Sequence, residues 1–297
     1  MKNFCLLVSI LLCCGLLVSC QTGQLSSSLP GLSPALSRAI GLGEKVAESR
    51  QDLTPEQEYW LGRAVAAQIL SRYPALDNEK ANAYLNRLGQ AIALHSLMPE
   101  TFGGYHFLLL NTDEVNAFAA PGGLIFVTKG LIGLISGEGE LAAVLAHEIA
   151  HVQNRDAVGA IQQSRLTKAL TEAGKEEAGR YGSGRVPPEL VKSFSDSVTE
   201  VTTALLINGY SRDQEYAADA AAKDILDRSG YDKRCLFVVL RTMQKRVPAG
   251  SAGFGTTHPT AAQRLEALRA TASDQPAAET KERARRFRDA LGALSYR

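Results

Sequence analysis

Two histidines four residues apart, with a glutamate beside the first, make His147-Glu148-Ile149-Ala150-His151 the most reactive grouping in this chain. On a helix, positions i and i+4 share a face, so both imidazoles can reach one ion. Paired imidazole nitrogens suit zinc, which they bind at about 2.0–2.1 Å. Glu148 points to the neighbouring side of such a helix, where it can take a proton from a zinc-bound water. The preceding residues, Leu141 to Ala146, are apolar and rich in alanine. Two imidazoles and a carboxylate are costly in such a setting without a partner.

A catalytic zinc usually has three protein ligands. The spacing that would supply a third histidine from the same segment, as in metzincins, needs Gly at 154 and His at 157; here stand Asn154 and Ala157. The third ligand must come from a later helix. Glu215 and Asp219 lie one turn apart in an alanine-rich stretch whose small residues allow close approach to another helix. In that arrangement Glu215 binds zinc and Asp219 orients a ligand histidine. By pattern alone Asp213, Asp224 and Glu200 remain rivals. His258 follows a glycine-rich loop, Gly250 to Gly255, and precedes Pro259, which reads as a helix start. Three roles are open to it: hydrogen-bonding a developing oxyanion, occupying the fourth position of zinc in a resting state, or a structural N-cap or turn.

The elements that must position these groups can be read from period and punctuation. Thr54-Pro55-Glu56-Gln57 is a helix start, with helical periodicity to about Leu70. Pro74 breaks it, and a second helix is expected from Asn78 to about His95. Tyr105–Leu110, Val115–Ala119 and Leu124–Thr128 read as strands, with Pro121-Gly122-Gly123 as a turn. After Gly130 the pattern is helical, broken at Gly179–Pro188, Gly209–Ser211, Gly230 and Val247–Pro259. The expected class is α+β, mostly helical, with one small β-sheet of about three strands. Gly179–Pro188 reads as a mobile lid or a plain connector, and the residues from Ala272 on as a polar, basic tail that frays.

The amino terminus carries an address. Lys2 precedes an apolar run from Phe4 to Val18, short for a membrane span and suited to a signal peptide. It ends in Leu17-Val18-Ser19-Cys20, which resembles a bacterial lipobox and implies cleavage before Cys20 and lipidation of that residue. Gln21, in place of an aspartate, favours the outer membrane. The expected organisation is a signal peptide over 1–19, a lipidated tether over 20–52, a catalytic domain over 53–271 and a tail over 272–297. Of five cysteines only Cys235 lies in the part that reads as folded, which argues against a disulfide framework. In 297 residues, 32 basic and 31 acidic side chains nearly cancel, which argues against a dedicated nucleic-acid binder.

Five motifs in order make the chain resemble the HtpX- and BepA-type gluzincin zinc metallopeptidases, a family that includes the CAAX prenyl proteases. They are Leu53–Glu58, Val115–Gly123, Glu140–Asp156, Arg212–Asp219, and Thr257-His258-Pro259 followed by Arg264. The resemblance implies one zinc held by His147, His151 and Glu215, Asp219 behind them, Glu148 as catalytic base, and endoproteolysis. It favours Asn116, Ala117, Phe118 and Ala119 as an edge that pairs with extended substrate. For a lipid-anchored envelope member it implies unfolded or misassembled envelope proteins as substrates, envelope assembly machinery as a partner, and a role in quality control. The rival reading is a zinc-binding, chaperone-like or assembly factor with a structural or latent site. Arg264 is open to pairing with a carboxylate near the site or to a surface ion pair.

Overall fold

Helix α1, Pro55–Arg72, starts at a capping box in which the Thr54 hydroxyl and the Gln57 side chain each satisfy the other's backbone N–H. Helix α2, Glu79–Ala93, is capped by Asn78 and carries a continuous apolar face. Three strands follow: β1 (His106–Leu110), β2 (Ala117–Ala120) and β3 (Leu124–Thr128). The central strand is β3, parallel to β1 and antiparallel to β2, giving the order β1-β3-β2. The β2–β3 turn is Pro121–Gly123, with φ of 74° at Gly122; a Cβ there would lie 2.9 Å from the Tyr59 backbone of α1.

The computed structural model describes residues 53–159, 188–247, 258–270 and 274–294, all within one compact unit, Ala47–Arg297. The lipobox, the tether and nearly all of Gly179–Pro188 lie outside the described residues, as do 248–257. Beyond the sheet come α3 (Lys129–Leu134), α4 (Glu138–Gln153), the single turn α5 (Asp156–Gly159) and α6 (Pro188–Thr203). Helix α6 runs into a π-helical turn, Ala204–Asn208. Then follow α7 (Arg212–Arg228), α8 (Arg234–Arg246), α9 (Ala261–Ala267) and α10 (Lys281–Leu291). Among these described helices none is long and apolar enough to cross a membrane. The chain folds as the mostly helical α+β domain with one three-stranded sheet that its periodicity predicts.

Alternation along the strands divides the core between the two faces of the sheet. Leu110, Phe118 and Phe126 meet Leu61, Val65 and Ile69 of α1 on one face. Phe107, Leu109, Ile125 and Val127 meet Leu85 and Ile92 of α2 and Leu141 and Leu145 of α4 on the other. The two sheet edges are treated differently. Outside β1, the Asn82 carboxamide accepts from Leu109 N (2.9 Å) and the Asn86 carboxamide accepts from Phe107 N (3.0 Å). Leu76 N donates to Leu109 O (2.8 Å), so that edge is closed. The β2 edge faces α4 and the π-helical turn.

Helix α4 is buried from Leu141 to Val152, and α7 packs along it through Ala218 and Ala222. Its first residue, Glu138, is a buried carboxylate that accepts from the hydroxyls of Tyr84 (3.0 Å) and Tyr231 (2.9 Å) and from Arg286 of α10. The tail expected to fray is therefore corrected in part: Lys281–Leu291 is a helix that buries Phe287 and Leu291 and binds the start of α4. Its low mean hydropathy hid two apolar anchors and an arginine paired with Glu138.

Candidate metal centre

Helix α4 presents His147 and His151 from one face, as the i, i+4 spacing requires, and both are buried. Helix α7 brings Glu215 against them, with no exposed surface. Ligand atoms of His147, His151, Glu215 and His258 lie within 4.8 Å of one another, a group that could hold a metal ion. The rivals for the third carboxylate are not brought in: Asp213 and Asp224 of α7 are exposed, and Glu200 sits half-buried on α6.

The donor set fits a tetrahedral cation. His147 Nε2 and His151 Nε2 are 3.1 Å apart. Glu215 Oε2 lies 3.5 Å from the first and Glu215 Oε1 3.6 Å from the second. Two nitrogens bound to one zinc at a tetrahedral angle stand about 3.3 Å apart. The remaining ring nitrogens are committed elsewhere: His147 Nδ1 donates to Asp219 Oδ1 (3.1 Å), and His151 Nδ1 donates to Asp156 Oδ2 (2.7 Å). With both Nδ1 atoms donating outward, the two Nε2 atoms face one another and call for one positive centre between them, a metal ion or a proton. Glu215 Oε2 is buried without a hydrogen-bond partner among the described residues, a second sign of an acceptor aimed at a cation.

The electrostatics lean the same way. Burial disfavours charge on His147, and Arg264 adds to that, yet the Asp219 and Glu215 carboxylates outweigh both and lift its pKa to about 9. Burial also opposes ionisation of Glu215, but His258, His147 and Arg264 hold its carboxyl well below the usual range. Asp219 is likewise pulled down against burial by Arg264 and His147. Arg264 grips Asp219 with two bonds, Nε to Oδ2 (2.8 Å) and Nη2 to Oδ1 (2.5 Å), and is 1% exposed. It is thus the buried partner of a carboxylate at the site, not a surface ion pair. Burial pushes the pKa of His258 down, and its Nδ1 lies 2.6 Å from Glu215 Oε1. His258 is not the cap of the following helix: α9 starts at Ala261, with Thr260 and Gln263 forming the capping box.

Three residues escaped the sequence reading as members of the site. Asp156, five positions past His151, returns to it because Arg155 turns the chain with φ of 57° and is itself held by Glu58 (2.9 Å). Gln214 donates to Asp156 Oδ1 (3.3 Å) while its Oε1 caps Ser211 N (3.0 Å). Tyr210 stacks on His151, ring centroids 4.4 Å apart, and its hydroxyl donates to Ala119 O (3.4 Å). Burial and nearby carboxylates hold the Tyr210 pKa well above its usual value, so that hydroxyl keeps its proton. A helix-ending Asn-Arg-Asp and a Ser-x-x-Gln capping box were the available signals for the first two; nothing in the sequence marked Tyr210.

Glu148 is 2% exposed. Among the described residues no group hydrogen-bonds its carboxylate. It lines a slot of about 10 Å³ with Ala117, Phe118, Ala119, Leu205, Tyr210 and His258, enough for about one water. Ala117 N donates to the Asn116 side chain (2.9 Å), away from β3, so the outward groups of β2 open onto this slot.

A mostly helical α+β domain with two histidines and a glutamate of facing helices around one point has the architecture of a zinc-type metallopeptidase. The model of peptidase family M48 matches residues 79–272, and the chain belongs to that family. It is 28% identical over 211 residues to the "Beta-barrel assembly-enhancing protease" of Escherichia coli (strain K12), covering 70% of this chain and 42% of that protein. The Yersinia pestis protein of the same name is 27% identical over 253 residues, 84% of this chain and 50% of its own. A "Protease HtpX homolog" of Salinibacter ruber is 31% identical over 121 residues, 39% of this chain and 43% of its own. The chain thus spans about half the length of these relatives or less.

Proposed function

We propose that this chain is a zinc-dependent endopeptidase that hydrolyses unfolded or misassembled proteins of the bacterial envelope, held there by a lipid on Cys20. The reading rests above all on Glu148. Its uncommitted carboxylate stands beside the His147–His151–Glu215 cluster and under the outward edge of β2. His147, His151 and Glu215 would hold the metal, and Asp219 and Asp156 orient the two imidazoles through Nδ1. A bound zinc supplies Lewis acidity to the attacking water and the scissile carbonyl. Glu148 takes the proton of that water and passes it to the leaving amine. The outward groups of Ala117 and Ala119 exchange their present partners, the Asn116 side chain and the Tyr210 hydroxyl, for the substrate backbone as an added strand, which is tolerant of sequence and suits unfolded clients. A slot of about 10 Å³ has no room for a peptide, so Tyr210 and His258 must move aside first. The names of the relatives that assist barrel assembly support an envelope setting and contact with assembly machinery.

The test is zinc analysis with a casein-degradation assay on wild type and Glu148→Gln. The variant keeps its metal and loses at least about a hundredfold in rate. Undiminished cleavage by the variant rejects the mechanism. Metal without cleavage in wild type under all conditions favours a binding factor with a latent site.

A further inference from the structure

Trp60 and Phe102 stand 53% and 55% exposed on the surface of the domain. They are not isolated. Tyr59 lies between them, ring centroids 5.2 Å from Trp60 and 5.6 Å from Phe102. Arg63, one helical turn on, reaches over both α1 rings at 5.7 and 5.6 Å and donates to the Tyr59 hydroxyl (3.2 Å). Beside this group a groove of about 550 Å³ opens between α1 and β1, walled by Tyr59, Arg63, Leu70 and Leu108. Single exposed apolar residues need no explanation; a continuous row of three rings with an arginine and an apolar groove does.

Rings with an apolar body and a polar tip, beside a snorkelling cation, are the chemistry of the headgroup layer of a bilayer. An extended peptide is disfavoured here, because the outer edge of β1 is already capped by Asn82, Asn86 and Leu76 and offers no backbone pairing. The position along the chain points the same way. Helix α1 begins at Pro55, five residues before Trp60, and the sequence that leads into it carries the Cys20 lipobox.

We propose that the face formed by Tyr59, Trp60, Phe102 and Arg63 is a membrane-contact surface that seats the domain on the phospholipid to which Cys20 is attached. The proposal rests on the anchor reading given above. A linker the length of 21–52 spans about 30 Å on average. At that range even a weak face is largely engaged, because attachment makes the contact intramolecular. The rings enter the headgroup layer and Arg63 meets lipid phosphates. The groove lies over β1 and β3, whereas the slot beside Glu148 opens at the β2 edge, and the two share no wall residue.

Trp60 is the sole tryptophan, so its fluorescence reports this surface alone. The chain from Cys20 onward is coupled through that thiol to maleimide-bearing vesicles of phosphatidylethanolamine and phosphatidylglycerol; Cys235 is buried and does not compete. This supplies the anchor chemically, so a failure of cellular lipidation, read separately from the mass of the protein, does not affect the result. Trp60 emission shifts to the blue and is quenched by lipids with brominated chains, and Phe102→Ser or Arg63→Glu cuts that quenching several-fold. An unshifted, unquenched Trp60 on the coupled protein overturns the proposal. So does a blue shift caused by an extended apolar peptide on vesicle-free protein when brominated lipid leaves Trp60 unquenched on vesicles, which would assign the face to polypeptide.

Discussion

Replacing Gln214 with glutamate isolates the outer layer of the metal centre from its ligands. Gln214 works at both ends: its Oε1 accepts from Ser211 N and its Nε2 donates to Asp156 Oδ1 at 3.3 Å. Gln214→Glu keeps the chain length and the capping acceptor but turns the donor into a second carboxylate oxygen. At 3.3 Å and an effective dielectric of about 20, two such charges repel by about 5 kcal/mol. The pair relieves this by taking up a proton or by separating. Either response weakens the hold of Asp156 on His151 Nδ1, now 2.7 Å. Loss of such a supporting carboxylate costs about 10–100-fold in metal affinity. Chelator competition measures that loss directly. Gln214→Met removes both hydrogen bonds without adding a charge, so it lowers the melting temperature through the lost cap but costs metal affinity no more than about tenfold, in line with a bond to Asp156 worth about 0.5–1.5 kcal/mol. Adding Asp156→Asn to Gln214→Glu abolishes the repulsion but leaves His151 on a neutral acceptor, so melting temperature recovers while metal affinity does not. Gln214→Glu protein that binds metal as tightly as wild type would refute the claim that Asp156 and Gln214 orient His151.

Other outcomes follow from the same geometry. Ala117→Pro removes an N–H that points away from β3 and also unpairs the buried Asn116 oxygen, so the melting temperature drops while zinc content persists and casein cleavage, read well below the transition, falls; unchanged cleavage means substrate does not pair with β2. His258→Ala at matched zinc occupancy raises basal cleavage if the imidazole blocks the site at rest and lowers it strongly if it stabilises the oxyanion; cleavage equal to wild type excludes both roles. Cys20→Ser abolishes lipid labelling and leaves an unprocessed or soluble protein, and labelling of that variant would show the lipobox reading to be wrong.

Local rules sufficed for everything that a helix repeat, a strand repeat or a cap can specify. The four-residue spacing places His147 and His151 on one face whatever surrounds them. Thr54 and Gln57 set the start of α1, and Leu124–Thr128 forms β3 to the residue. Helix α9 starts two residues past the expected Pro259, because the capping box of Thr260 and Gln263 outweighs a proline outside the helix. The choice of Glu215 over Asp213 or Asp224 is different in kind. All three sit on α7, and only the face that α7 turns to α4 separates a buried candidate ligand from two solvated acids. The same holds for Arg264, whose setting depends on α9 crossing behind Asp219, and for Lys281–Leu291, where Phe287, Leu291 and the Arg286–Glu138 contact make a helix of a stretch that reads as polar tail. Asp156 and Tyr210 enter the site through a left-handed turn at Arg155 and through the packing of the 209–211 segment on His151. Spacing along one element is a property of the chain alone; which side chains of different elements meet is decided by packing, and the metal centre is built where four such meetings coincide.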